Sequence, residues 1–520
     1  MQKRIELFAL FVTTVIMMLP FLLTLSWCPD VEGLRVGDIP STLLHAEGLL
    51  QGTYLFWNHL DGIGLPHPYA TNLIYHPIIL AFAFCPPDVA IVLFYIGHVL
   101  LGIYSTWYLC RHLEIAGPVA FVCALTYLMS SPSLNYLVGM DFWPTSALVW
   151  TCLPLLLLLV LKFLRADDKD ELRILALVIA GLVGFMALNS HIGSLVYGIV
   201  GICFFLAACW RDVLVRWKYA LLILLFFTVI FAEKFYTVYS EFVRFPSTGE
   251  RFYQYVPIDL LAMFFWPFKS DLLQKTYASV HYRSFFMGFP FFVLALVGSF
   301  WPMRLFRFHR AMGVSLMACL ILLFVPPTWF GVVICANYVW RDPLVLFCII
   351  IAGAVTSALF ERKGVFQITG RVILVLQAST LIAGLAPYWL DGFYSGLSFL
   401  HGEPAKVLRS YFEKSPVIRS IEKNGLVPGQ RIALSHNVES KLKYYSGFDY
   451  GLFRTHQMPI INGLFKGINY DDVSPSSRMM YGMVDARPFS SDKKLLDVLG
   501  IAYLIAFDEE TVPGGLIGLE

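Results

Sequence analysis

The residue types that could carry chemistry gather in one hydrophilic stretch near the start of the chain. Asp38 follows the first apolar run, where a carboxylate can act as a general base on a hydroxyl group or hold a cation. Trp57 and Asn58 come next, before a Gly-x-Gly-x-Pro segment, and His76 precedes Pro77. Sugars pack their C–H faces on aromatic rings and hydrogen-bond to Asn or Asp. The residue types in this stretch therefore suit a glycan.

Each of these residues also has a structural interpretation. Asp38 can be a solvated loop residue or the N-cap of a helix after Pro40. Trp57 and Asn58 can belong to an ordinary turn with an interfacial Trp. His76 can be a hydrogen-bonded structural group. The residue types alone leave both interpretations open.

Two further polar residues stand at the edges of later apolar segments. Asp141 precedes Pro144 and is either a second carboxylate, for substrate or a metal, or a helix cap. His191 follows the fifth apolar segment, where it can bind a hydroxyl or a phosphate or serve as a structural group. Both are candidate substrate-binding residues.

The overall composition indicates which class of protein holds these residues in place. Of 520 residues, 58% are hydrophobic and only 14% are charged, whereas a soluble domain carries roughly a quarter charged residues. The chain is therefore a membrane protein. Its net charge of +2, from 38 basic and 36 acidic residues, includes no polybasic block. Nucleic-acid binding is excluded.

The hydropathy pattern predicts about 11 transmembrane helices of a polytopic α-helical membrane protein. They lie at roughly 5–27, 89–109, 117–131, 144–163, 173–190, 192–210, 218–234, 284–301, 312–327, 343–360 and 372–390. Lys and Arg are concentrated in alternate loops between these helices. This distribution predicts that those loops and the N-terminus are cytoplasmic. We expect a multi-pass protein of the cell (inner) membrane.

The remaining polar stretches predict the domain organisation. Residues 1–390 form the transmembrane module, with an outer loop at 28–88 that carries the site and an interfacial outer loop at 235–283. The odd helix count places the tail, residues 391–520, outside the cell. Its turns and short strand-like runs at Arg431–Ser435 and Tyr503–Phe507 predict a small extracytoplasmic α+β domain.

Several short motifs, in order, resemble the YfhO-like branch of the GT-C superfamily of membrane glycosyltransferases. The first is the early loop Asp followed by LFWNHLDGIGLPHPYATNLIYHP at 55–77. Asn189-Ser190-His191 is similar to a family motif with Gly where Ser190 stands. Arg341-Asp342-Pro343 resembles an Arg-x-Pro segment that enters a late helix, and 495–504 resembles a C-terminal family motif.

This resemblance implies a fold and a reaction. In GT-C enzymes an acidic residue of the first outer loop is catalytic and the donor is a sugar on a polyprenyl phosphate, so Asp38 is the implied catalytic residue. Arg341, the lone basic residue of its short loop, would steady the departing phosphate; the alternative is a salt bridge with Asp342. The acceptor is expected to be a glycan, lipid or polymer. No cofactor is implied, although a divalent cation remains open.

Two other function classes fit a membrane protein with these features. A lipid-linked sugar transporter or flippase would show repeats, broken helices and charges at mid-membrane. A polysaccharide polymerase or ligase would share the outer-face chemistry but usually concentrates Arg in a large outer loop. The acidic and His residues of this chain gather outside its predicted spans, which favours an enzyme.

Overall fold

The computed structural model describes residues 5–16, 57–58, 65–66, 76–77, 81, 85, 87–130, 144–190, 192–244, 286–301, 305–324, 340–401, 416–425, 430–434, 460–461 and 501–505. The chain divides into two compact units. The first comprises Met1–Leu22, Leu93–Phe231 and Glu250–Phe393, and the second Leu23–Val92, Ala232–Gly249 and Tyr394–Glu520. All the described strands belong to the second unit.

The described part of the chain is mostly helical. Its helices are α1 (Ile5–Ile16), α2 (Pro87–His112), α3 (Gly117–Met129), α4 (Pro144–Arg165), α5 (Lys169–Asn189), α6 (Ile192–Ala208), α7 (Trp210–Val215), α8 (Trp217–Arg244), α9 (Phe289–Ser299), α10 (His309–Phe324), α11 (Arg341–Phe360), α12 (Val365–His401) and α13 (Pro416–Asn424).

A helix lies at each of the apolar segments that the sequence predicts. Within the described residues, the four that are long and apolar enough to cross a membrane are Ala147–Arg165, Lys169–Asn189, Arg341–Phe360 and Val365–Ala383. The architecture is that of a polytopic membrane protein, and the total of 11 crossings stays a prediction. Helices α8 and α12 run past their predicted ends, because a helix can continue after its apolar stretch stops.

Helix α11 forms the core of the first unit. It packs against α3, α4, α6, α9 and α10, and its residues from Arg341 to Ser357 are buried. A helix that is apolar on all sides belongs in the interior of a bundle. Small residues allow close packing: a Cβ at Gly353 would meet the sulfur of Cys123 in α3.

A buried glutamine joins three helices of this unit. The Gln377 amide of α12 donates to Thr126 Oγ1 of α3 at 3.2 Å and to the Met287 carbonyl at 2.6 Å. Its oxygen accepts a hydrogen bond from the Phe291 amide at the start of α9. Gly288, with φ of 96°, turns the chain here, where a side chain would collide with Gln377. These bonds satisfy polar groups in an apolar interior.

Polar contacts bring the basic loops of the first unit together at one end of the bundle. Arg165, at the end of α4, donates to the His112 carbonyl at 3.0 Å. Arg307 binds Asp212 of α7 with 2.8 Å between nitrogen and oxygen. We call this end, which includes the α2–α3, α4–α5 and α6–α8 connections and the start of α10, the basic end.

The same end also receives the last turn of α11. The Ala116 amide between α2 and α3 donates to Ser357 Oγ at 2.9 Å. The loops that the charge asymmetry assigns to the cytoplasm therefore meet on one side. Orientation toward the cytoplasm itself stays a prediction.

The strands of the second unit form two small sheets. Strands β1 (Trp57–Asn58) and β2 (Leu65–Pro66) pair antiparallel. Strands β3 (Arg431–Leu434), β4 (Ile460–Ile461) and β5 (Ile501–Ile505) form a parallel sheet in the order β4-β3-β5. Strands β3 and β5 fall where the sequence predicts strands in the tail; that the tail is one α+β domain stays a prediction.

Candidate active site

The first-loop residues belong to the second unit. Asp38 lies outside the described residues. Trp57 and Asn58 form β1, in which Trp57 stands opposite Pro66 and Asn58 opposite Leu65. The aromatic–amide pair and the glycine-containing segment after it are therefore joined as a short ribbon. This pairing fits both a sugar-binding loop and a structural turn.

His76 is a half-buried residue of the same unit. Burial lowers the pKa of its imidazole from 6.5 to about 4, because removal from water disfavours the charged form. The side chain is neutral at physiological pH. A neutral imidazole can donate a hydrogen bond to a hydroxyl group or accept one from it. It carries no positive charge that would attract a phosphate.

Two buried polar residues hold the junction between α5 and α6, where the predicted residue His191 itself lies outside the described residues. The Asn189 amide donates to the Phe185 carbonyl at 2.9 Å, and the Ser190 hydroxyl donates to the Met186 carbonyl. Ser190 has φ of −113°, so the position that is Gly in the resembling family needs no glycine here. The junction is fixed by its own side chains.

Asp141 also lies outside the described residues, shortly before α4. Among the residues that are described, no three His, Cys, Asp or Glu side chains lie together as a metal site would require. Both roles of Asp141 stay predictions.

Arg341 and Asp342 form a buried ionic pair in the first turn of α11. The Arg341 side chain is 1% exposed and that of Asp342 is 0% exposed, with 3.6 Å between Nε and Oδ1. The salt bridge that the sequence leaves open is thus present. It is not a surface bridge, because both charges are removed from solvent.

Contacts with α6 show how deep this pair lies in the first unit. The Trp340 ring packs on Tyr197, with centroids 4.6 Å apart, and on Phe204 at 6.0 Å. A Cβ at Gly201 would collide with Pro343. These α6 residues lie away from both ends of their helix. The start of α11 is therefore level with the middle of α6.

The length of α11 gives the distance of Arg341 from the basic end. Ser357, which bonds to the basic end, follows Arg341 by 16 residues, or about 24 Å of helix. The hydrocarbon core of a bilayer is about 30 Å thick. Arg341 thus lies within the depth of the bundle, deeper than the outer-loop position that the sequence predicts.

The pair supplies a positive group beside its own counter-charge in apolar surroundings. A guanidinium can bind two oxygens of one phosphate at once, while the neighbouring carboxylate holds the side chain and offsets its charge. Sequence reasoning treats Asp342 only as an alternative partner and misses Gly201. The glycine inside an apolar helix is the signal that could have indicated a close helix contact.

Comparison with known proteins gives structural matches only. No protein-family model matches the chain, and no curated protein matches it. Crystal structures of ArnT from Cupriavidus metallidurans are similar to it, one bound to undecaprenyl phosphate and one in the apo state. They are 14% and 13% identical in sequence, with TM-scores of 0.44 and 0.43. Each match covers 87% of this chain and 90% of the other. TM-scores this low do not establish a shared fold.

Proposed function

We propose that this chain is a GT-C-type membrane glycosyltransferase that moves a sugar from a polyprenyl-phosphate carrier to an extracytoplasmic glycan, lipid or polymer. The observation that carries the proposal is the buried Arg341–Asp342 pair inside an apolar bundle. Ionisable residues within membrane helices are costly and mark substrate or ion sites. Arg is also the side chain best suited to bind a phosphate that has two free oxygens.

Asp38 would be the catalytic base, as the sequence resemblance implies. Its carboxylate takes the proton of the acceptor hydroxyl while that oxygen attacks the anomeric carbon of the donor. The bond from that carbon to the phosphate oxygen breaks, and the lipid phosphate leaves with the electron pair. Because this leaving group is already ionised at neutral pH, the step needs no general acid.

Arg341 would bind the phosphate of the donor and stabilise the charge that develops as it leaves. Asp342 would be a positioning residue that holds the guanidinium when the site is empty. When the donor binds, its phosphate would become the partner of the guanidinium beside this carboxylate.

The other predicted site residues would bind the sugar or the acceptor. Trp57 offers an aromatic face and Asn58 an amide, and the neutral His76 suits a hydroxyl group. Asp141 and His191 would complete the substrate contacts. None of these roles requires a metal. A titration with a chelator would test whether a divalent cation takes part.

The burial of this charged pair also fits a second candidate, a transporter or flippase for lipid-linked sugars. Ionisable residues inside membrane helices also mark the paths of transported substrates, and both Arg341 and Asp342 are buried within the bundle. Reconstituted protein that moves a polyprenyl-phosphoryl sugar across vesicles without forming a glycoside would decide for this candidate.

The deciding experiment is the transfer assay with purified full-length Asp38→Asn. The amide keeps the shape but cannot take a proton, so we expect transfer to fall by about 100-fold or more with an unchanged melting temperature. Arg173→Ala is the matched control, because Arg173 is an exposed residue paired with the exposed Asp170. Full transfer activity in Asp38→Asn would refute the catalytic assignment.

A further inference from the structure

Helix α7 and the first turn of α8 present an apolar face that the described bundle leaves uncovered. Its side chains are exposed by about half or more: Trp210 54%, Leu214 57%, Val215 79% and Trp217 54%. Two Trp residues so close together at a helix junction are typical of the zone where a bilayer meets water.

A cationic side chain lies over each of these two Trp rings. The Arg211 guanidinium carbon lies 5.4 Å from the centre of the Trp210 ring, and the Lys218 ammonium lies 5.8 Å from that of Trp217. Both cationic side chains are themselves exposed. Cations stacked on exposed aromatic rings are held at the surface rather than free to sample all rotamers.

Polar contacts fix the opposite side of α7 to the bundle. Arg216 is buried and donates from Nε and Nη2 to the Ala166 carbonyl, at 3.1 and 2.7 Å. Asp212 is paired with Arg307, which neutralises the carboxylate nearest to Arg211 in α7. The exposed side thus keeps a net positive charge on a segment whose position is fixed.

The apolar face continues along α8. Five large apolar side chains are exposed on the described part of α8 beyond Lys218: Leu221, Leu224, Leu225, Phe226 and Val229. Thr228 is exposed among them, and its hydroxyl donates a hydrogen bond to the Leu224 carbonyl of the same helix. In a membrane protein such a surface faces lipid chains. The two cations therefore stand where these chains end and headgroups begin, at the basic end of the bundle.

We propose that Arg211 and Lys218, with Trp210 and Trp217, form a binding site for the headgroup of an anionic phospholipid. The two cations would bind the phosphate and the added negative charge of the headgroup, while the Trp rings contact the glycerol and upper chain region. This site lies at the opposite end of the bundle from the start of α11. It therefore does not depend on the proposed transferase activity.

The test is native mass spectrometry of the full-length protein titrated with phosphatidylglycerol or phosphatidylcholine. Each cation is expected to strengthen anionic binding by about fivefold. Arg211→Gln with Lys218→Gln should therefore weaken phosphatidylglycerol binding by about tenfold to thirtyfold and leave phosphatidylcholine binding unchanged.

A matched control removes the same number of exposed charges from the same end. Lys169→Gln with Arg173→Gln lies in the first turns of α5, beside Asp168, Asp170 and Glu171, so an anionic lipid gains little there. Preserved lipid selectivity in this control would support the site. Equal losses in both double variants, or no loss in the first, would overturn it.

Single variants keep the test available if the first double variant does not purify. Arg211→Gln and Lys218→Gln should each weaken phosphatidylglycerol binding by about fivefold. Selectivity for phosphatidylglycerol unchanged in both single variants would equally overturn the proposal.

Discussion

Two buried arginines of the first unit illustrate different uses of the same side chain. Arg216, at the basic end, is 8% exposed, and its carboxylate partner Asp167 is 98% exposed. Arg341, at the start of α11, is 1% exposed beside an Asp342 that is 0% exposed. Arg216 reaches from the interior toward water, whereas both members of the Arg341 pair are removed from solvent.

The helix ends that the two arginines meet have opposite polarity. Arg216 donates to the Ala166 carbonyl just after α4, at the negative end of that helix dipole, where a cation is favourable. Arg341 occupies the first position of α11, at the positive end. There the dipole favours Asp342 and opposes a guanidinium.

The helix dipole therefore favours Arg216 at its position and disfavours Arg341 at its own. A guanidinium at the unfavourable end of a helix fits the anion-binding role proposed for it. The comparison separates a structural clamp from a candidate functional group, and each side of it can be tested.

The largest expected effect comes from removing one member of the deep pair. Asp342→Leu leaves the Arg341 guanidinium without the carboxylate beside it, and breaking a buried pair typically costs about 3–5 kcal/mol. We expect a large fall in the melting temperature of the purified protein, together with loss of transfer activity.

The double variant Arg341→Met with Asp342→Leu separates stability from function. Apolar residues of similar volume often replace a buried pair without loss of stability, so the melting temperature should largely recover while transfer remains absent. Transfer by a stable double variant would show that the pair is dispensable and would move Arg341 to the same class as Arg216.

The basic end was predictable from the sequence because it depends on simple composition. Apolar runs of about 20 residues and the distribution of Lys and Arg are sufficient to identify helices and sort their loops. Arg165, Arg216 and Arg307 all fall in loops that the sequence assigns to one side, and the structure joins those loops by direct contacts.

The depth of Arg341 was not predictable in this way. A hydropathy window penalises charged residues, so the predicted helix begins at residue 343 and Arg341 becomes a loop residue. The structure begins α11 at Arg341 and places it against α6. That placement depends on the close contact between Gly201 and Pro343; a glycine in an apolar helix indicates a close contact, but the sequence does not show which helix makes it. The roles of Asp38, Asp141 and His191 remain predictions from the resemblance.

A smaller effect should follow from disturbing the contact that places the pair. In Gly201→Ala the new methyl group collides with Pro343, and overpacking of this kind costs about 1–3 kcal/mol. We expect a moderate fall in melting temperature and a higher KM for the donor, since the first turn of α11 must shift.

Gly97→Ala in α2 is the matched control for this substitution. Gly97 is a helical glycine with nothing within 4 Å of an added Cβ, so alanine should be neutral or slightly stabilising. A Gly201→Ala variant that behaves like Gly97→Ala would show that the start of α11 is not held by its contact with α6.

The smallest effect is expected at the basic end. Arg216→Ala removes the two hydrogen bonds to the Ala166 carbonyl and the contact with Asp167, at a cost of about 1–2 kcal/mol, because the carbonyl loses its side-chain donor. The melting temperature should fall slightly, and kcat and KM should stay at wild-type values because Arg216 only holds two loops together.

Arg173→Ala, which breaks an exposed ion pair at the same end, is the control and should lower stability even less. A loss of transfer in Arg216→Ala that exceeds its loss of stability would contradict the distinction between the two arginines.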